Sequence, residues 1–286
     1  DALPICQGRG RTNPNPMVGA VVIQGAEVIA TGYHQAAGLP HAEIVALRKA
    51  GAEAKGATLY VNLEPCNHHG RTGPCTEAII KAGISRVVVA MQDPNPLVSG
   101  KGLARLTEAG IKVKEGVLEQ KAQQLNETYI KYITTGMPFV CMKVAMSLDG
   151  KIGTKTGESN WITGEKSRQF VHRLRDNNDA IVVGIDTVIK DNPRLTTRVE
   201  GGGGKDAVRV VVDSTARLPL DARVIENATG AKLILAVTDK APPDKCRALE
   251  AKGVEVLVLP ENSGWVDPYA LLKNLGERNL SAVLVE

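Results

Sequence analysis

Residues 63–75 read LEPCNHHGRTGPC, from Leu63 to Cys75. This stretch puts two cysteines and two histidines into thirteen positions of a chain that holds only five of each. Metal-capable side chains gathered this densely after an apolar strand point to a ligand loop. Immediately upstream, ATLYVNLE (57–64) has strand composition, and HAEIVALRKAG (41–51) reads as a helix stopped by Gly51. Before these, MVGAVVI (17–23) and VIATGYH (28–34) flank QGAE, a hairpin pattern. Downstream, CTEAIIKAG is a helix that begins at Cys75 and is stopped by Gly83. The strand SRVVVAMQ, the helix GLARLTEAG and the strand IKVKEG follow. Strands separated by helices of about ten residues need crossover connections, hence a parallel or mixed sheet with covered faces, an α/β fold.

A long helix is expected near 118–135, ending at TTGMP, where Gly136 and Pro138 form a stop-and-exit signal. The domain boundary is placed there, giving domains 1–136 and 137–286. The second half restarts with FVCMKVAMSLDG and continues through DAIVVG, AVRVVVD, AKLILAV and GVEVLVL, read as buried strands. EGGGGKD (200–206) reads as a flexible surface loop. No Gly-x-Gly-x-x-Gly follows any strand, so the common dinucleotide fingerprint is absent. The chain ends on the apolar strand SAVLVE, from which the second domain is expected to be incomplete at its C-terminal side.

The composition, 43% hydrophobic and 23% charged, is that of a globular chain. An odd count of five cysteines without disulfide spacing favours a reducing cytoplasm. No apolar run approaches the eighteen or so residues of a membrane span. The net charge of +4 is mild and aromatics are 3%, which argues against a broad nucleic-acid surface and for a small anionic substrate.

Catalytic zinc takes three protein ligands and keeps a fourth position for water. His41, Cys66 and Cys75 offer an imidazole and two thiolates. Cys75 opens a helix, whose positive end favours the thiolate, and His41 opens another just after Pro40. Residues two apart on a helix point to different sides, so His41 is expected at the cap if Glu43 is to share its site. Glu43 needs no metal contact, because it can carry protons between water and substrate. Alone, HAE is an ordinary helix start, and a structural zinc closed by His68 or His69 is a second reading. His-x-Glu followed by Pro-Cys-x-x-Cys is the zinc-deaminase signature. Here eight residues separate the cysteines instead of two. His68, His69 and Arg71 in that insert are read as loop and substrate-contacting residues rather than ligands.

NPNPMVGAVV (13–22), GYHQAAGLPHAE (32–43), LEPCNHHGRTGPC and MQDPNP (91–96) together resemble the bifunctional riboflavin-biosynthesis deaminase–reductase family. KVAMSLDGKIGTKTGESNWITG (143–164) and LRDNNDAIVVGIDTVIKDNPRLTTR (174–198) resemble its reductase half, so the likeness covers nearly the whole chain. It implies a cytidine-deaminase-like αβα domain with a mixed sheet, then a dihydrofolate-reductase-like α/β domain. The implied reactions are deamination of 2,5-diamino-6-ribosylamino-4(3H)-pyrimidinone 5′-phosphate and NADPH-dependent reduction of the ribosyl group to ribityl. Zinc ligands carry over to His41, Cys66 and Cys75, the proton shuttle to Glu43, and pyrimidine contacts to Asn15 and His34. In the reductase half, Ser159, Arg175, Leu195, Arg198 and Glu286 match substrate positions. Ala145, Trp161, Thr187, Asp191 and Ser214 match nucleotide positions. Lys143 is a catalytic candidate, since an inward lysine on the strand CMKVAMS needs an anionic or polar partner. A homo-oligomer is also implied. Past the residue matching Glu286 the family continues with a glycine-containing loop that holds the NADPH phosphates, so reductase activity is expected to depend on that loop. A nucleic-acid deaminase, the rival enzyme reading, would want Pro-Cys-x-x-Cys and a basic surface. A reductase of another pteridine-like substrate is the remaining variant.

Overall fold

The computed structural model describes residues 5–68, 73–158, 161–226 and 230–286; His69, Arg71 and Ser159 lie outside the described residues. The chain forms two compact units divided between Gly136 and Met137. Among the described residues no helix is long and apolar enough to cross a membrane.

The first unit contains β1 (Gly19–Gln24), β2 (Glu27–Tyr33), α1 (Ala42–Ala50), β3 (Thr58–Leu63), α2 (Cys75–Lys81) and β4 (Arg86–Met91). It continues with α3 (Lys101–Glu108), β5 (Lys112–Lys114), α4 (Glu119–Leu125) and α5 (Glu127–Thr135). Its five-stranded sheet has the order β2-β1-β3-β4-β5. The hairpin β1–β2 and the pair β1–β3 are antiparallel, whereas β3–β4 and β4–β5 are parallel, so the sheet is mixed. Ala20, Val22, Leu59, Val61, Val87 and Val89 are buried with Ala42, Ala46 and Ala50 of α1 and Ile79 of α2. Small residues let α1 lie directly on β2. A Cβ added to Gly32 would meet the Ala42 carbonyl oxygen at 2.4 Å and the Ala46 nitrogen at 2.6 Å. The close approach fixes His41, at the head of α1, over the sheet.

The long helix expected at 118–135 is instead two helices, broken at Asn126. The Asn126 side chain clasps the Met17 backbone, Oδ1 accepting the N–H at 2.8 Å and Nδ2 donating to the carbonyl at 3.0 Å. Tertiary hydrogen bonds hold this asparagine in a non-helical backbone conformation and override a continuous helix.

The second unit contains β6 (Phe139–Met142), α6 (Glu165–Asn177), β7 (Ala180–Gly184), α7 (Ile185–Asp191), β8 (Val208–Val212) and β9 (Leu233–Val237). α8 (Pro243–Glu250), β10 (Glu255–Val258), the short pair β11 (Glu261–Asn262) and β12 (Trp265–Val266), α9 (Pro268–Glu277) and β13 (Ala282–Val285) complete it. The main sheet, in order β10-β9-β8-β7-β13-β6, is parallel throughout. Ile181, Val183 and Val211 face one core with Val188 and Leu249; Ala180, Val182 and Val210 face another with Leu271 and Leu275. The last strand, β13, inserts between β7 and β6, which suits a wholly apolar sequence. Two strands read as buried are not. β6 and β10 are sheet edges, so Val140, Met142 and Val258 are exposed. Lys143 lies just past β6, and its N–H still donates to the Val285 carbonyl at 2.8 Å. The lysine side chain is 28% exposed, so it is not the fully inward residue expected of a central strand. EGGGGKD is an exposed turn, tied back where the Lys205 N–H donates to Asp176 at 2.7 Å.

Candidate functional site

In the first unit, His41 occupies the N-cap of α1 with extended backbone (φ −67°, ψ 159°), as the spacing to Glu43 requires. Cys75 is the first residue of α2. Cys66 follows Pro65 in the turn after β3. His41 Nδ1 lies 3.3 Å from Cys75 Sγ and 3.5 Å from Cys66 Sγ, and the Cys75 N–H points at Cys66 Sγ at 3.5 Å. Zinc bonds of about 2.0–2.3 Å in tetrahedral geometry put ligand atoms roughly 3.5 Å apart, so the cluster has the spacing of a zinc site. Among the described residues these three form the metal-capable group, and His68 is exposed. Three ligands leave a coordination position open, as catalysis needs and a closed structural site does not.

Electrostatics fit a cation. A hydrogen bond from Cys75 draws the Cys66 thiol down to about 4, while donating that bond, and burial, push Cys75 up. The two sulfurs, Cys75 buried and Cys66 half-buried, hold one negative charge between them, and a dication bound there would displace the remaining proton. The hydrogen bond with Cys66 raises His41. Glu43, in the first turn of α1, is 3% exposed; burial pushes its carboxyl up and it shares a hydrogen bond with Cys75. His34 donates from Nδ1 to the Pro40 carbonyl at 3.2 Å, so its Nε2 accepts from Asn15 Nδ2 at 3.2 Å. Burial lowers His34 and keeps the ring neutral. Its ring stands edge-on to His41 with centroids 5.5 Å apart, which brings Asn15 and His34 to the metal cluster.

Glu64 supports this arrangement from beneath. It is 3% exposed, and its Oε1 accepts the N–H groups of Gly102 (2.8 Å) and Leu103 (3.3 Å). Its Oε2 accepts those of Asp93 (3.2 Å) and Gly100 (3.0 Å). One carboxylate thereby ties the Pro65–Cys66 turn to the head of α3 and to the segment 93–100. Gly102 is needed there, since a Cβ would come within 2.0 Å of the Pro65 carbonyl oxygen. Asp93 in turn accepts from the Tyr129 hydroxyl at 2.8 Å and the Asn95 N–H at 2.9 Å.

In the second unit the candidates gather at the carboxyl ends of parallel strands, where open α/β sheets bind ligands. Arg175 on α6 holds Glu286, just past β13, with Nε to Oε1 at 2.7 Å and Nη2 to Oε2 at 2.8 Å. Its Nη1 donates to the Thr196 carbonyl at 3.0 Å. Lys143 Nζ lies 4.0 Å from Glu286 Oε2. Arg198 Nη1 donates to Thr196 Oγ1 at 2.9 Å, and Arg198 also contacts His172. Lys143, Arg175, Arg198 and Glu286 therefore form one cluster.

Residues 138–286 match the family model of the RibD C-terminal domain, and residues 2–91 that of the cytidine and deoxycytidylate deaminase zinc-binding region. The chain is 47% identical to riboflavin biosynthesis protein RibD of Aquifex aeolicus, over 97% of this chain and 76% of that protein. It is 48% identical to RibD of a Synechocystis species, over 97% and 73%. This chain belongs to the RibD family. The family's enzymes are bifunctional, pairing a zinc-binding deaminase with an NADPH-dependent reductase, and the chain carries both domains. A solved diaminohydroxyphosphoribosylaminopyrimidine deaminase/5-amino-6-(5-phosphoribosylamino)uracil reductase from Thermotoga maritima is similar, with 42% identity and a TM-score of 0.86. That likeness covers 99% of this chain and 77% of the other. RibD of Acinetobacter baumannii is similar to the same degree, at 42% identity and TM-score 0.86.

Other positions expected from the RibD resemblance are more scattered. Leu195 is 3% exposed, its side chain in the core and its backbone left-handed (φ +56°), so any substrate contact there goes through the main chain. Ser214, buried after β8, accepts the Val266 N–H on Oγ at 3.0 Å. Thr187 and Asp191 ride on α7, Ala145 follows β6, and Trp161 is 76% exposed with the Arg168 guanidinium 4.6 Å from its ring centroid. Sequence reasoning missed Glu64, and it did not single out His172, which contacts Arg198. Glu64 stands inside the quoted stretch, and His172 precedes Arg175 by three residues, on the same helix face.

Proposed function

We propose that the first unit deaminates 2,5-diamino-6-ribosylamino-4(3H)-pyrimidinone 5′-phosphate hydrolytically, and that the second reduces the deaminated sugar phosphate to its ribityl form. The division of labour follows residues 1–136 and 137–286. The observation that carries the reading is the buried Glu43 carboxyl beside three ligand atoms that lie within 4.8 Å of one another.

His41, Cys66 and Cys75 would hold a zinc ion, which when bound would supply Lewis acidity to a water at the open position. Glu43 takes the proton of that water as its oxygen bonds to the amino-bearing pyrimidine carbon. It then delivers a proton to the departing nitrogen, so that the C–N bond breaks to release ammonia and the carboxyl returns to its starting state. Burial pushes the Glu43 carboxyl up from its ordinary value, the direction that suits a group which must both accept and donate a proton. Asn15 and His34, their amide and ring orientations set by each other, hold the pyrimidine edge.

NADPH, when bound, would supply the hydride for C1′ of the sugar in its ring-opened imine form. In that form the C1′–O4′ bond is already broken and O4′ carries the proton; the imine nitrogen takes up a proton from solvent as the C=N bond is reduced. Lys143 and Glu286 face the sugar and Arg198 holds its 5′-phosphate, a guanidinium fork being suited to a phosphate. Arg175 fixes Glu286 in place, and Ser159 and the Leu195 main chain complete the substrate contacts. Ala145, Trp161, Thr187, Asp191 and Ser214 are assigned to the nucleotide. A homo-oligomer belongs to the same proposal, supported by the apolar outward face of the edge strand β6, with Val140 40% and Met142 73% exposed. So does a cytoplasmic location, supported by five free cysteines.

The test measures ammonia release and NADPH oxidation in one tube, with and without a chelator, for wild type and Glu43→Gln. Glu43→Gln is expected to keep its zinc and lose roughly a hundredfold to ten-thousandfold of ammonia release, the usual worth of a positioned acid–base group. Supplied deaminated substrate is expected to be reduced normally by the same variant. Wild-type ammonia release from Glu43→Gln would refute the deaminase mechanism.

A further inference from the structure

We propose that Asn67 and Thr76 form a clasp that sets the spacing of the two cysteine ligands, which makes them positioning residues of the metal site. The proposal rests on the zinc reading of His41, Cys66 and Cys75, not on the reaction assigned to it. Eight residues separate Cys66 from Cys75, where the compact signature has two. A two-residue spacer holds its cysteines together by its shortness. An eight-residue loop does not, and closing its ends costs conformational entropy that a contact must offset. The residue following each cysteine supplies half of that contact: Thr76 Oγ1 donates to Asn67 Oδ1 at 2.8 Å. Thr76 is fully buried, where a hydroxyl is costly unless bonded. The Asn67 amide is also held from its other end, with Nδ2 directed at the Lys101 carbonyl at 3.4 Å.

Two backbone donors run alongside this bond. The Thr76 N–H donates to the Cys66 carbonyl at 3.2 Å, and the Cys75 N–H points at Cys66 Sγ at 3.5 Å. The residue before α2 is Pro74, which gives the helix no side-chain cap, so these first-turn N–H groups depend on Cys66. Whatever holds the Cys66 turn against the head of α2 therefore holds both sulfurs. Glu64 does not do this: its four bonds run to Asp93, Gly100, Gly102 and Leu103, on the side of α3. The Asn67–Thr76 bond supplies the side-chain link across the other side, from the Cys66 turn to the Cys75 helix. Zinc needs its ligand atoms at tetrahedral spacing, and groups that align ligands without touching the metal are worth about tenfold to a hundredfold in affinity.

Zinc affinity of the full chain is measured by competition with a chromophoric chelator, and the absorption bands of the cobalt-loaded protein report the ligand geometry. The variants are Thr76→Val, Thr76→Ser, Asn67→Ala and the double variant Asn67→Ala/Thr76→Val. Valine nearly keeps the shape of threonine and lacks the donor, whereas serine keeps the donor. Thr76→Val is expected to weaken zinc about tenfold to a hundredfold and to shift the cobalt bands, and Thr76→Ser to bind as the wild type does. Asn67 is half-buried, so Asn67→Ala reads the same bond from a tolerant position even if Thr76→Val fails to fold. The double variant is expected to bind no more weakly than the weaker single one, because one bond is lost only once. Wild-type affinity in Thr76→Val or Asn67→Ala overturns the proposal, as do equal losses in Thr76→Val and Thr76→Ser, or additive losses in the double variant. A wild type that binds no zinc overturns the clasp and the metal reading together. Ammonia release by the wild type is followed alongside. Release with a zinc affinity that neither single variant alters removes the clasp and keeps the deaminase reading. Zinc binding that depends on the clasp, without ammonia release, does the reverse.

Discussion

Replacing Glu64 by glutamine tests whether one buried carboxylate organises the floor of the metal site. Its two oxygens accept four backbone N–H groups, two each. An amide offers a single acceptor oxygen, and its NH2 group brings donors to a place where donors already stand. Whichever way the glutamine turns, two buried N–H groups lose their acceptor. At about 1–3 kcal/mol for each buried group left unsatisfied, the substitution costs roughly 2–6 kcal/mol. The attraction of a carboxylate to the head of α3 adds roughly 0.3–1 kcal/mol to the loss. Set against about 5–15 kcal/mol for a typical domain, this is a large share of the first unit's stability. Hydrogen exchange of the Asp93, Gly100, Gly102 and Leu103 amides locates the effect, and denaturant unfolding followed by circular dichroism measures it. Zinc content is expected to fall as well, since Glu64 precedes the Pro65–Cys66 turn. A variant with unchanged exchange at those four amides, unfolding within about 0.5 kcal/mol of wild type, would show that the carboxylate is not what holds them.

Asp93, 7% exposed, has its carboxyl pushed up by burial, so the folded state keeps its proton to higher pH than the unfolded chain does. Stability is therefore lost as pH rises from the unfolded value of about 3.9 through the folded one. Asp93→Asn, which can still accept from Tyr129 and Asn95, is expected to flatten that part of the profile. Denaturation midpoints taken from pH 3.5 upward decide it, and an unchanged slope counts against the assignment. In the second unit, Arg175→Lys replaces a fork on Glu286 by a single ammonium and abandons the Thr196 carbonyl. It is expected to cost about 2–3 kcal/mol. Both tryptophans, Trp161 and Trp265, lie in that unit, so fluorescence-detected unfolding reads it directly. An unmoved midpoint would mean that the pair contributes nothing to stability.

What the sequence disclosed and what it hid divide by the distance over which the cause acts. The hairpin around Gly25 and the helix starts at His41 and Cys75 are local: turn chemistry, a following apolar period and a ligand at each helix head sit within a few residues. β13 was legible because an all-apolar strand suits only a sheet interior, and it lies between two neighbours. The break in the helix at 118–135 was not legible, because Asn126 is held out of the helix by Met17, 109 positions earlier. Nothing within ETYIKYITT or EQKAQQL announces that partner. β6 and β10 failed for a related reason. VCM and VLV have the composition of central strands, and edge status is set by which strand lies alongside, here decided only when β13 takes the inner place. Glu64 shows the limit most plainly. The residue stood in the stretch that identified the metal site, but its partners at 93, 100, 102 and 103 come from a loop and a helix end whose orphan N–H groups the fold alone delivers to it. His172 differs in degree only. Its spacing from Arg175 was visible on one helix, while its contact with Arg198 comes from 26 residues further along. A site whose ligands come from helix heads can be read in advance; the groups that align those ligands emerge once the helices have been placed.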